Sequence, residues 1–285
     1  MKTKVAWIVL SLFLPCAAIA QNAWQYSKKI ERSMVVTGVI EVNPDGSVHD
    51  YTLDQPDKLL PGIVEIVSRT IPAWKFQPFS VDKNPYLLKG KMSIRIVADK
   101  LDGDRYALSV RGVSFSGNNS MNAISFESKA PPTYPQEALN GGVSGTAYVI
   151  AMIDRIGHVE KAAAIQVDLR AMGPDPVLAR LRNDFARASV KAVEHWTFNV
   201  PAALREGGKD HWFVRIPINY QAVYDNVKPV EEYGRWDAYV PGPVEHIPWY
   251  EANETAHHGS QDAIPDNLAY QDDPRFVLLN PPGNG

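Results

Sequence analysis

Two stretches of this 285-residue chain run through the same series of sequence signals in the same order, so its fold has to accommodate an internal repeat. In the second stretch, Gly145 to Asp154 alternates as a strand does, Gly157 marks a turn, and His158-Val159-Glu160 begins a return strand. In the first, Met34 to Val42 is β-branched and apolar, Asn43-Pro44-Asp45-Gly46 is the turn, and Ser47 to Tyr51 starts back. Proline presets one backbone angle of such a turn and glycine tolerates a positive one, which makes Asn-Pro-Asp-Gly a hairpin signal.

A helix is expected next in each half. Leu59, Leu60, Ile63, Val64, Ile66, Val67, Ile71 and Trp74 recur three or four apart, as do Val177, Leu178, Leu181, Phe185, Ala188, Ala192, Val193 and Trp196. Pro61 stands near the start of the first, where its missing N–H costs little. Trp74-Lys75-Phe76-Gln77-Pro78 then answers Trp196-Thr197-Phe198-Asn199-Val200-Pro201. A third strand lies 18 residues past each tryptophan, around Met92 (Lys91 to Val97) and Val214 (Trp212 to Ile218). The paired aromatics are read as core, since aromatics at the end of an amphipathic helix pack inward. Between the halves, Tyr106, Leu108, Val110 and Val113 alternate like a strand, while the Ser/Gly stretch 112–117 reads as loop.

Composition matters at the two ends. Lys2 and Lys4, an apolar run from Val5 to Leu14 and the Ala18-Ile19-Ala20 site read as a secretory signal cut between Ala20 and Gln21. The alternatives are a lipoprotein signal using Cys16 or an uncleaved anchor. Cys16 is the single cysteine, so its removal leaves no thiol for disulfides, catalysis or zinc. Residues 225–285 hold eleven acidic residues against three basic ones and eight of the 22 prolines, whereas 21–224 carries 24 basic and 21 acidic. A formal net charge of −3 gives no electrostatic reason to expect nucleic acid. The acidic end lacks sustained periodicity and is expected to be extended, with Glu231/Glu232 and Asp272/Asp273 solvated. Its seven aromatics, from Tyr233 to Phe276, leave open an extended strap across the body.

The series Pro132-Thr133-Tyr134-Pro135, Ala138, Gly145, Gly157-His158-Val159, Trp196-Thr197-Phe198 and Val214-Arg215-Ile216-Pro217-Ile218 resembles the C-terminal domain of the TonB family over about 130–221. Residues 34–98 look like a degenerate copy without the Tyr-Pro pair. The resemblance implies an α+β fold of two modules, each a helix on a three-stranded antiparallel sheet. It also implies a role in outer-membrane transport, in which an extended segment of an envelope protein, such as a TonB-dependent outer-membrane receptor, is captured by strand addition. An open strand edge offers unpaired N–H and C=O groups that such a segment satisfies. By analogy the edge is the last strand, with Phe213, Val214, Arg215, Ile216, Ile218 and Tyr220, and with Pro217 interrupting one donor. Tyr134, Pro135, Gly145, Gly157, Trp196 and Phe198 form the family pattern. Of these, Tyr134-Pro135 is read as fixing the chain's approach to the domain, and Gly145 as a strand start.

No Gly-x-Ser-x-Gly elbow, phosphate-cradling glycine loop or His-Glu-x-x-His is present, and the adjacent His257 and His258 make no metal site by spacing. No catalytic residue, metal ligand or cofactor is therefore assigned. The expected organisation is a signal peptide (1–20), a degenerate TonB-like repeat (21–104), a linker with a strand-like stretch (105–129), a TonB C-terminal-like domain (130–224) and an acidic, proline-rich tail (225–285). The expected function is that of a periplasmic, non-catalytic binding protein. The alternatives are an energy transducer keeping its N-terminal segment as an inner-membrane anchor, and a structural or assembly factor whose tail covers the open edge. Membrane association is expected only if the leader stays uncut.

Overall fold

The computed structural model describes residues 30–79, 86–117, 123–222, 233–251, 260–266 and 268–282, and shows a mixed α+β chain built on antiparallel sheets. The first half contributes β1 (Glu31–Val42), β2 (Val48–Leu53), α1 (Pro61–Thr70), a 3-10 turn (Ile71–Ala73), β3 (Leu88–Lys100) and β4 (Tyr106–Gly117). Next come β5 (Ser125–Ser128), α2 (Gln136–Asn140), β6 (Ser144–Asp154), β7 (Val159–Arg170), α3 (Asp175–Val193), β8 (Thr197–Asn199), α4 (Ala202–Glu206) and β9 (His211–Tyr220). The last quarter adds β10 (Asp237–Tyr239) and α5 (Pro248–Glu251). The cleavage site Ala20/Gln21, Glu231/Glu232 and His257/His258 lie outside the described residues.

Both long helices form where the apolar stripes indicate, with a proline in the first turn of each. Ile63, Val67 and Ile71 pack with Met34, Val36, Met92 and Ile94 in the first core. Leu178, Leu181, Phe185 and Val193 pack with Ala147, Val149, Val214 and Ile216 in the second. Trp74, Phe76, Trp196 and Phe198 are 1–3% exposed, which makes them core and leaves no face for stacking a ligand. Two glycines tie these aromatics to their hairpins. Gly46 (φ 81°) and Gly157 (φ 94°) adopt the left-handed conformation, and each accepts a hydrogen bond from the N–H of Phe76 or Phe198, at 2.8 and 2.9 Å. A Cβ on either would lie 2.0 or 1.8 Å from the same phenylalanine's carbonyl oxygen, so the turn and the Trp-x-Phe segment act as one joint.

The second sheet has three strands in the order β7-β6-β9. The first corrects the three-strand expectation: β4 lies beyond β3, β10 and β2 flank the two ends of β1, and five strands result. The stretch 112–117, expected as loop, is the far half of β4, running from Gly112 opposite Arg95 to Gly117 opposite Gly90. Its small residues answer to packing, since a Cβ on Gly112 would stand 2.3 Å from that of Ser260. A strand read as loop was thus short of large side chains because another segment crosses it.

That segment is the tail, which is extended but packed. Tyr239, Val240, Ala263, Ile264, Tyr270, Phe276 and Leu278 are all buried. Phe276 enters the first core, stacked on Phe115 at 5.5 Å and edge-on to Phe76 at 5.8 Å. Here the backbone pairs as well: Gln77 N–H donates to Val277 O at 2.8 Å and Leu279 N–H to Lys75 O at 2.7 Å. In the second half β5 takes the corresponding place beside β8, with Phe126 edge-on to Trp196 at 5.5 Å. The expectation of a solvated Asp272/Asp273 pair is also corrected: Asp272 pairs with Arg215, and Asp273, 7% exposed, with Arg275. Asp272 compensates a buried guanidinium of the body, whereas the partner of Asp273 lies in the tail and is exposed.

Candidate functional site

The edge strand is held in place through its even-numbered residues. Trp212, Val214, Ile216, Ile218 and Tyr220 point into the second core. Tyr220 lies 4.7 Å from the Phe185 ring, and its hydroxyl shares a 2.8 Å hydrogen bond with Ser189 Oγ. Tyr134 closes the same corner, edge-on to Phe185 and Tyr220, and donates to Val143 O at 2.6 Å, while Pro135 precedes the first turn of α2. The pair therefore fixes the chain's approach to β6. The reading of Gly145 as a mere strand start is corrected, because a Cβ there would stand 2.6 Å from Asp168 O. Glycine lets β6 and β7 approach at that point.

β6 occupies the inner side of β9, from Gly145 opposite Tyr220 to Asp154 opposite His211. On the outer side, Arg215 and Tyr270 exchange both backbone hydrogen bonds at 2.8 Å. Backbone groups of alternate residues in an antiparallel strand point to opposite sides. The outward set is thus His211, Phe213, Arg215, Pro217 and Asn219. Only Phe213 and Arg215 among the six predicted edge residues turn their backbone outward. Val214, Ile216, Ile218 and Tyr220 turn theirs to β6, and Asn219 was missed. Sequence alternation gives the face of each side chain, whereas the side to which each N–H points follows from pairing. Pro217 falls in the outward set, where its missing N–H spares the ladder to β6.

The outward residues also carry the charge. Arg215, with a side chain 3% exposed, pairs with Asp272, donates to Ser114 Oγ of β4 at 3.3 Å and has its guanidinium 5.2 Å from the centre of the Tyr270 ring. Asn219 Nδ2 donates to Asp266 Oδ2 at 3.2 Å. Phe213 lies against Trp249 and Tyr250 at 6.1 and 5.4 Å. Between β4, β9 and the tail lies a cleft of about 950 Å³, whose lining includes Arg95, Phe213, Arg215, Tyr250, Asp272 and Phe276.

Other sheet edges meet the tail too. Val240 exchanges backbone bonds with Leu169 of β7, and Glu245 N–H reaches Ile165 O. Arg182 donates to the carbonyls of Val240 and Pro241, and Gly242 N–H to Asp168 Oδ1 at 2.9 Å. Burial pushes the Asp168 carboxyl up to about 6, against the lowering effect of hydrogen bonds from Gln166 and Gly242. On the first sheet Arg95 pairs with Glu31 and, at 2.9 Å, with Asp262, while Ser260 and Asp273 donate backbone bonds to β4 at Val113 and Phe115. Arg170 clasps Asp237 of β10 at 2.9 and 3.0 Å. Among the described residues, no group of three side chains is placed to hold a metal ion, and no helix is long and apolar enough to cross a membrane.

No family model matches this chain, and no solved structure matches it. Its sequence is similar to Protein TonB from Xanthomonas campestris pv. campestris strain B100 and to Protein TonB from strain ATCC 33913 of the same pathovar. Each is 29% identical over 97 residues, which is 34% of this chain and 37% of the relative. The chain thus matches a little over a third of the length of those relatives.

Proposed function

We propose that this chain is a TonB-like, non-catalytic protein of the cell envelope that captures an extended segment of another envelope protein as a strand beside β9. The partner class implied is a TonB-dependent outer-membrane receptor, and the setting is the periplasm, reached by cleavage before Gln21. One observation carries the reading: the third strands of the two sheets differ in what lies on their outer edges. In the first sheet β4 pairs with β3 from Gly90 to Lys100, so this architecture accepts an added antiparallel strand at that position. In the second, the described residues show one backbone bridge between the same edge and the tail, Arg215–Tyr270. The matched turn glycines, Trp-x-Phe segments and strand orders support treating the halves as copies of one module. The similarity to Protein TonB supports the envelope role and the non-enzymatic reading.

The test is capture from envelope extract by the wild type and by Phe213→Pro and Asn219→Pro, which remove outward N–H groups and leave the ladder to β6 intact. Loss of the same partner from both variants is expected. Retention of the full partner set by both would sink strand addition at this edge. A second reading, a structural or assembly factor in which the tail permanently covers the edges, is favoured by the tail's contacts with β1, β4, β7 and β9. It predicts that truncation after Tyr224 causes aggregation while the full chain captures nothing. N-terminal sequencing of the mature protein decides the transducer variant, since a chain starting at Gln21 has no N-terminal anchor with which to pull.

A further inference from the structure

The tail meets β9 in a definite register. In an antiparallel pair the residue numbers of opposite partners add to a constant, so a strand continued from the Arg215–Tyr270 bridge would set residue 266 opposite Asn219 and residue 272 opposite Phe213. The Asn219–Asp266 hydrogen bond obeys that register four residues away from the bridge. Directly opposed residues share a face, and residues two apart on a strand do as well. Hence the Tyr270 ring and the Asp272 carboxylate both come to Arg215, one over the guanidinium and the other paired with it. Asp266, Tyr270 and Asp272 thus meet β9 at positions an added strand would use, with one backbone bridge at Tyr270.

We infer that the tail's Asp266, Tyr270 and Asp272 stand in for the partner segment, and that the partner is an extended acidic peptide with an aromatic residue two positions before a carboxylate. This rests on the strand-addition reading above and adds the chemistry of the occupant. The charge argument is direct. Arg215 is nearly inaccessible, and Asp272 is the carboxylate that pairs with it. A segment that displaces the tail without bringing a carboxylate takes the Asp272 charge away from a buried cation, which disfavours it. A segment bringing one restores the pair and extends the ladder at Phe213 and Asn219. Asn219 favours a second acidic position six residues before the first.

The probe is a fluorescent peptide of residues 264–274 added to the full-length chain. The tail of wild type competes with it, whereas Asp272→Asn weakens the tail's hold on Arg215. Binding to Asp272→Asn is expected to be tighter than to wild type by about tenfold or more, the worth of one charge-assisted contact. A peptide with asparagine at both 266 and 272 is expected to lose that advantage. Equal binding of the acidic and amide peptides overturns the inference, as does equal binding of the acidic peptide to the two chains. Hydrogen exchange on the wild type requires no variant to fold. The Arg215 N–H, held by the tail, is expected to exchange faster than those of Val214 and Ile216, held by β6. Equal protection of all three means that the tail leaves only on global unfolding, and the inference falls. If Phe213→Pro abolishes capture but the acidic peptide does not bind, the partner chemistry is wrong and strand addition stands. If both proline variants capture normally, strand addition itself is wrong.

Discussion

Phe276→Ala tests whether the C-terminal segment belongs to the first core or rests on it. The ring is 5% exposed, stacks on Phe115 and meets Phe76 edge-on. It also covers the backbone of Gly90, where a Cβ would stand 2.5 Å from two ring carbons. A buried aromatic removes roughly 150–250 Å² from water, which at about 25 cal/mol per Å² amounts to about 4–6 kcal/mol as an upper bound. Phe→Ala changes in cores cost about 3–5 kcal/mol, and the two ring contacts place this site within that range. Such a loss is a large share of the roughly 5–15 kcal/mol that keeps a domain folded. Urea unfolding followed by far-UV circular dichroism, with the slope compared between variants, reads it out. Leu279→Ala, at a residue 59% exposed, is the control and is expected to stay within about 0.5 kcal/mol of wild type. A Phe276→Ala loss below about 1 kcal/mol at unchanged slope would refute the claim that the tail completes this core.

Three further outcomes are expected. Gly157→Ala and Gly46→Ala each force a Cβ against a phenylalanine carbonyl from a left-handed backbone, and each is expected to destabilise by more than about 2 kcal/mol in thermal unfolding, which a neutral result would contradict. Asp168 has its folded-state value raised from 3.8 to about 6, so the folded chain holds this proton more tightly than the unfolded one. Its contribution to stability is present below about 3.8 and lost as pH rises through about 6, a swing of about 3 kcal/mol. The difference in stability between wild type and Asp168→Asn is expected to follow that window, and a difference independent of pH would show the carboxyl to be ordinary. Truncation after Tyr224 strips Phe276 and Leu278 from the first core and uncovers edges of β4, β7 and β9, so concentration-dependent aggregation by light scattering is expected.

The parts of the fold legible in the sequence are those whose signals are local. The stripe Ile63–Val67–Ile71 and its partner Leu178–Leu181–Phe185 repeat at helical spacing, and Asn43-Pro44-Asp45-Gly46 contains its own turn chemistry. Tyr134-Pro135 and the Trp-x-Phe pairs were legible because each packs on the helix and sheet nearest to it in the sequence, although Phe76 also meets Phe276 of the tail. What escaped was whatever depends on a distant segment. The residues 112–117 looked like loop because of small residues such as Gly112 and Ser114, which face Ser260, almost 150 positions away. Asp272 looked solvated because its partner, Arg215, is on another strand. The path of the tail has no period to read, since its anchors Tyr239, Val240, Tyr270, Phe276 and Leu278 are spaced by the sheets they cross. At the candidate site, Phe213 and Arg215 were among the residues read from the sequence, but which residues turn their backbone outward was not legible, because the pairing with β6 and with Tyr270 fixes that direction.

The placement of Phe276 and Leu278 also sets an order of events during biosynthesis. β5, which pairs with β8, precedes the second sheet in the chain, so among the described buried residues the second core lacks only Val240 of the tail once β9 has been made. The first module is made earlier but waits for residues more than 190 positions beyond its own Trp74-Lys75-Phe76 segment. Folding cannot simply run from the N-terminus to the C-terminus, as it does where each domain closes on emerging. The first core is begun first and closed last, and until the C-terminal residues arrive the rings of Phe76 and Phe115 present an unfinished aromatic face.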